Sequence, residues 1–430
     1  MRSYLNLEQL DVRDVPAVFY VAPTGLDTAA GGSSTPWKTL QRAANGVHAG
    51  DQVIVRAGTY VGFNLTADGT PSARITFSAQ PGVVVNAPNP WNLRDGINLE
   101  GADYATIEGF KVINQPRAGI RSAINHGAII QNNITDNNST WGIFTGFSED
   151  VVIQNNVASN SHTQHGIYVS NSADNPIVRG NKVFGNHASG IQLNADASLS
   201  YPGFKSDGII TGALIEKNTV YNNGAVGGAA LNLDGVQSSR IQNNLLYNNS
   251  ATGIALFKGN GATGSRNNVV ANNTIVNGAT SRWAILVMGG STGNTVFNNI
   301  ILNNNAARGA LNVFADSRAG LHSDYNMVVD RFTTDDGATR KTLAQWQTAT
   351  GQDAHSRVAT ASTLFVNAAV NNYRLSATSP ARNAGVASLF GMSAPPSDMT
   401  GYAHSIDGRW DIGAFEYQAS GSVPPPPIGN

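Results

Sequence analysis

"VIQNNVA", residues 152–158, places an apolar pair ahead of a polar corner at Asn155 and Asn156 and returns at once to apolar residues. The pattern recurs as "IIQNNIT" (129–135), "IVRGNKV" (177–183), "LIEKNTV" (214–220), "RIQNNLL" (240–246), "VVANNTI" (269–275) and "TVFNNII" (295–301). Its second corner residue is Asn133, Asn156, Asn181, Asn218, Asn244, Asn273 and Asn299, at intervals of 23, 25, 37, 26, 29 and 26. Five intervals are near-equal and the 37 marks an insertion. A second polar corner follows each unit, as at Asn160, Asn186, Asn223 and Asn249. A short strand comes next: "WGIFT" (141–145), "HGIYV" (165–169), "SGIQL" (189–193), "AALNL" (229–233), "TGIAL" (252–256), "WAILV" (283–287).

A fold for these repeats must fit three short strands and three turns into each unit of roughly 25 residues. A right-handed parallel β-helix does so. Each unit is one coil, and each strand pairs with its equivalents above and below. Asn tolerates the left-handed backbone of a tight corner. Its side-chain amide can bond the Asn of the next coil, satisfying groups that the corner would otherwise strand. Helical repeats are excluded, because they need apolar runs of period 3.6 over ten or more residues. The reading is therefore all-β, a single-stranded right-handed parallel β-helix over 19–417, with a leader at 1–18 and a Pro-rich tail at 418–430.

The ends fit. "TPWKTLQRAANGVHAG" (35–50) predicts a capping helix over 36–48, with Thr35 as N-cap, Pro36 in the first turn and Gly50 as stop. Such a helix covers the open edge of a solenoid. From 310 to 417 the repeat weakens into less regular coils and a cap, and "TLAQWQTATG" (342–351) reads as another short helix.

Only 13% of the 430 residues are charged and the formal net charge is -1. Nucleic acid is thus not an expected partner, because phosphate binding needs concentrated Lys and Arg. The absence of cysteine excludes disulfides and Cys-ligated zinc. No apolar run approaches the ~18 residues of a membrane span. The N-terminus resembles a short "LE-x-L-x-x-R-x-V-P" motif of exported bacterial proteins, carried here by Leu7, Glu8, Leu10, Arg13, Val15 and Pro16. Together with "GSVPPPPIGN" (421–430), an extended stalk-like tail, it predicts a secreted or cell-surface location.

The segment from Phe19 to Gly62 resembles the N-terminal part of right-handed β-helix proteins of the pectate-lyase-like superfamily. "YRLSATSPARNAG" (373–385) and "DGRWDIGAFEY" (407–417) resemble the closing segment of many such bacterial proteins. The resemblance implies the fold. It implies function in outline only, since the superfamily holds polyuronate lyases, glycoside hydrolases, uronate epimerases and members without known activity.

It also implies a substrate groove on the outer face of the "GIxL" strands. Alternation then sends Arg121, Phe144, Tyr168, Gln192, Asn194, Asn232, Asp234 and Phe257 outward, with Lys258 next. The insertion "ADASLSYPGFKSDGII" (195–210) brings Asp196, Tyr201, Phe204, Lys205 and Asp207 to the rim. Elimination of a uronate needs a base for the proton α to a carboxylate, and a group to neutralise that carboxylate. Lys258 and His165 are the candidate bases and Tyr168 the acid. Gln192, Asn194, Asn232, Arg121, Phe257 and Lys205 are candidate substrate contacts. Asp196, Asp207 and Asp234 are candidate ligands for Ca²⁺. Asp234 is also a candidate catalytic carboxylate, alone or with Asp196 in a hydrolase. Taken alone, Lys258 in "FKGNG" reads as a surface lysine at a turn.

The expected function is a polysaccharide-active enzyme, foremost a lyase on an acidic polysaccharide. A hydrolase, an epimerase and a non-catalytic glycan-binding solenoid stay open. A monomer is expected, because a solenoid buries its repeats against each other.

Overall fold

The computed structural model describes residues 15–404 and 409–419. Leu7, Glu8, Leu10 and Arg13 of the leader motif, Asp407 and Gly408 of the closing motif, and the proline run of the tail lie outside the described residues.

Three long parallel sheets run side by side, with ten, twelve and twelve strands. Each coil visits them in the same order. The ten-stranded groove sheet holds the "GIxL" strands, from Phe63–Leu65 to Leu311–Val313. The second sheet leads into the Asn corner and the third leaves it, as Val152–Gln154 and Val157–Ser159 do in one coil. Aliphatic side chains make the core. Ile143, Ile167, Ile191, Leu231, Ile254 and Ile285 are in register from coil to coil and fully buried. Each such side chain contributes about 1.5–3 kcal/mol on burial.

All seven predicted corner asparagines stack, and Asn326 extends the ladder. Asn218 shows the pattern. Its amide nitrogen donates to Asn244 Oδ1 at 3.0 Å and to the Val178 carbonyl at 2.8 Å, and its oxygen accepts from Asn181 N at 3.0 Å. The division of labour differs from expectation in one respect. The left-handed residue is the one before the ladder position: Asn132, Asn155, Asn243, Asn272 and Asn298 have φ of 53–57°, and Gly180 and Lys217 fill the same place. The turn and the stack are thus borne by adjacent residues.

The capping helix is shorter than expected, Leu40–Ala44, and its N-cap is Thr39, whose side chain accepts from Arg42 N. Asp27 explains the shift. Its carboxylate takes the Lys38 and Thr39 amides at 2.9 Å each. Trp37 is meanwhile held in extended backbone by bonds with Tyr20 and Ala22. Leu40, Ala43 and Ala44 still close the N-terminal end of the core. At the other end, the expected helix forms over Leu343–Thr350 with a Thr342–Gln345 capping box. Its fully buried Trp346 stacks on Phe332.

The segment after residue 364 is not a further coil. It runs back along the outside of the second and third sheets as a strap. Leu364, Phe365, Tyr373, Leu375, Ile412, Ala414 and Phe415 pack on Leu245, Val276, Ile300, Leu302 and Met327. Corner asparagines pin it: Asn243 to Ser397 O at 2.7 Å, Asn272 to Asp411 O at 3.1 Å, Asn298 to Val386 O at 2.8 Å. Among these contacts none falls on the groove sheet.

Candidate active site

The pleat of the groove sheet turns two parallel rows outward. One runs Asn98, Arg121, Phe144, Tyr168, Gln192, Asn232, Ala255, Leu286. The other runs Glu100, Ala123, Gly146, Ser170, Asn194, Asp234, Phe257. His165, two residues ahead of Ile167, takes the place that Trp141 holds one coil before and Ser189 one coil after.

The middle of the rows is bonded together. Asn194 Nδ2 donates to Tyr168 Oη at 2.9 Å, and Asn232 Nδ2 to Gln192 Oε1 at 2.6 Å. Tyr168 is half-buried against Phe144, Trp141 and His165, with ring centroids 5.4, 5.9 and 5.1 Å away. Gln192 and Asn194 are more enclosed than an open groove floor would leave them, at 7% and 9% exposure. Asn194 Oδ1 is a buried acceptor with no donor among the described residues.

His165 is not the base expected near neutral pH. Ser189 N donates to its Nδ1 at 3.1 Å, which puts the proton of the neutral ring on Nε2. Burial lowers its pKa to about 4, since desolvation penalises the imidazolium. It therefore offers a hydrogen-bond donor at pH 7.

Asp234 is likewise committed. It is 2% exposed and accepts from Gly259, Asn260 and Gly261 N at 2.7, 2.6 and 3.1 Å. This caps the turn that presents Lys258, so Asp234 is a positioning residue rather than a free acid or base. Asp196 accepts from Ser198 N and Oγ at 2.9 and 2.6 Å. Asp207 pairs with Lys205 at 3.1 Å. Among the described residues no three His, Asp or Glu side chains are grouped to hold a metal ion, and Asp196, Asp207 and Asp234 do not fit Ca²⁺ as a set.

Lys205 is held between Asp174 at 2.7 Å and Asp207. The hydrogen bond that its ammonium donates to Asp174, with Asp207 behind it, keeps Lys205 above the ordinary lysine range. The lysine pins the insertion to Asp174 and keeps its side chain 47% exposed. Phe204 stacks on His126 at 4.7 Å and Tyr201 tilts against Phe147 at 5.9 Å, so the insertion makes a wall over two earlier coils.

Lys258 and Phe257 end the polar stretch. Lys258 is exposed and pairs with no carboxylate among the described residues. Tyr168 and Lys258 are three coils apart, about 14 Å at the ~4.8 Å strand spacing. The bond to Asn194 carries the Tyr168 hydroxyl one coil toward Lys258.

At the opposite end, Arg121 pairs with Glu100, accepts the face of Phe144 at 5.8 Å and donates to Asn98 Oδ1 at 3.0 Å. It lines a cavity with Trp91, Arg94 and Arg117. Sequence reasoning missed those three and Trp141. "NPWNLRDG" (89–96) carried a signal, an aromatic residue among turn formers, but nothing local placed it beside Arg121.

The region description "Pel9A-like, right handed beta helix region" matches residues 19–164, and "Right handed beta helix region" matches 197–324. The crystal structure of pectate lyase Pel9A is similar over 94% of this chain and 96% of that one, with 18% identity and a TM-score of 0.59. An alginate lyase from Paenibacillus sp. str. FPU-7 is 18% identical over 63% of this chain and 94% of that one, TM-score 0.47. Dettilon tailspike protein is 17% identical over 72% and 66%, TM-score 0.49. No curated protein matches the chain. Stacked coils, three parallel sheets, the Asn ladder and the two region matches make this chain a right-handed parallel β-helix protein of the pectate-lyase-like superfamily.

Proposed function

We propose that the protein is an exported enzyme that cleaves an acidic, uronate-containing polysaccharide by β-elimination along the groove sheet. The observation that supports this reading is the state of the groove's charged groups. Its outward carboxylates are engaged, Glu100 with Arg121 and Asp234 with three amides, while Lys258 is exposed and pairs with no carboxylate among the described residues. A hydrolase needs two free carboxyl groups across the bond. A lyase needs a base, an acid and cationic partners for the uronate.

In this reading Lys258 acts in its uncharged amine form and takes the proton on the carbon α to the uronate carboxylate. The electron pair left behind forms the new carbon–carbon double bond as the bond to the leaving oxygen breaks. Tyr168 gives that oxygen its proton. Asn194 donates to Tyr168, and the phenol proton has no acceptor among the described residues. The gap between the Tyr168 hydroxyl and the Lys258 coil is roughly 10 Å, two strand spacings, which a sugar ring and the flexible lysine stem fill. His165 Nε2, Gln192 and Asn232 orient hydroxyls.

The test is incubation with polyuronates and neutral glycans, following ultraviolet absorbance of unsaturated ends and total reducing ends separately. Both should rise together on a polyuronate, and Lys258→Ala should lower the rate by orders of magnitude. Reducing ends without absorbance would indicate hydrolysis and overturn the reading. Sugar inversion without cleavage would make the protein an epimerase, which begins with the same proton transfer.

A further inference from the structure

We propose that the cavity bounded by Trp91, Arg94, Arg117 and Arg121 is a remote subsite that holds the carboxylate of one sugar of a long acidic chain, away from the reacting bond. The ligand class rests on the reading of the substrate as a polyuronate.

The cavity measures about 340 Å³, near the small end of the ~300–1,000 Å³ range of ligand pockets. That suits a single sugar residue. Two of its three guanidinium groups are already balanced. Arg117 makes a two-point pair with the buried Asp95, Nε to Oδ1 at 2.9 Å and Nη2 to Oδ2 at 2.5 Å. Arg121 pairs with Glu100. Arg94 is exposed and pairs with no carboxylate among the described residues. One positive charge is thus left over, on the side chain whose planar fork matches a carboxylate.

Beside it Trp91 is 60% exposed, a large ring left in water. An indole face next to an unpaired guanidinium suits a sugar ring that carries an acid. The loop that presents both is bonded into one shape. Asn89, fully buried, accepts from Trp91 N and Asn92 N at 3.1 Å each and donates to Asp95 O at 2.7 Å. Asn92 Oδ1 accepts from Arg94 N and Asp95 N at 2.9 and 3.1 Å. The backbone that carries the two side chains is therefore fixed before binding, which lowers the cost of capture.

The cavity shares its row with the proposed centre. From Arg121 the row reaches Tyr168 after two coils, roughly 10 Å, and Ala255, beside Lys258, after five, roughly 24 Å. A sugar held here lies several residues along the chain from the bond that breaks. Its contribution is to affinity for long chains, with little effect on the chemical step.

The test uses the full chain with size-defined oligogalacturonates and oligomannuronates from dimer to octamer, by calorimetry and by the absorbance assay. Affinity should climb once the oligomer spans roughly 24 Å. Arg94→Ala and Trp91→Ala should each remove most of that climb, weakening binding of long oligomers roughly tenfold through a raised KM. Turnover, short-oligomer binding and melting temperature should stay as in the unaltered protein. Long oligomers bound equally by both variants would overturn the subsite and leave the elimination reading standing. Loss of dimer binding as well would overturn its remoteness. An equal Arg94-dependent climb with neutral oligosaccharides would overturn the carboxylate assignment. Failure of the unaltered protein to bind any oligouronate would overturn this inference and the substrate reading together.

Discussion

His165 is a groove residue whose chemistry the fold changes strongly. Its pKa falls from 6.5 to about 4, so below 6.5 the unfolded chain binds a proton that the folded ring refuses. The stability this group contributes is fully present above pH 6.5 and declines as pH falls toward 4, by about 1.4 kcal/mol per unit at most. His165→Gln should flatten the fall in urea midpoint between pH 7 and pH 4 relative to the unaltered protein; equal slopes would refute the neutral, buried ring. Asp234 yields a second outcome. Asp234→Ala frees three amides of the turn after Lys258 and should cost about 2–4 kcal/mol and most of the turnover. Asp234→Asn, which keeps an acceptor, should restore part of both. Alternation along the "GIxL" strands was enough to read that Tyr168, Gln192 and Asn232 face outward. It was not enough for Asp234 or Lys205, because Asp234 is held by a turn about one coil on, and Lys205 by Asp174, 31 residues earlier, as well as by its neighbour Asp207.

At the scale of the element, the Asn ladder was legible because each corner repeats one chemical need at a near-constant interval. Which of two neighbouring asparagines takes the left-handed turn was not, since both residue types tolerate it and only stacking decides. The capping helix failed in the same way. Thr35-Pro36 is a good local start, yet Asp27 supplies a stronger one by binding the Lys38 and Thr39 amides. Asn218→Ala should show how much a rung matters. It strands Asn181 N and Val178 O in the interior and should lower stability by about 2–4 kcal/mol, read as a drop in urea midpoint. An exposed corner change such as Asn137→Ala should cost well under half of that.

Over the whole molecule, the groove sheet is left open because the C-terminal strap goes to the other faces. The sequence showed a closing segment but not its side. Its bonds join residues 88 to 180 positions apart and follow no repeat. Ile412→Asp, which puts a charge into the buried face of the strap, should release it. Dye binding to exposed apolar surface and proteolysis after residue 364 should then increase, with oligouronate binding retained. Loss of binding in step with release would mean that the strap supports the groove.

The strap also imposes an order on folding. Ladder contacts close loops of 23 to 37 residues, and any coil can serve as template for the next. The strap closes loops several times longer and finds its apolar seat only after the third sheet has stacked. Loop length alone thus favours coils that stack before the strap docks, an order that would leave Leu245, Val276 and Ile300 uncovered for a time and open to a second copy.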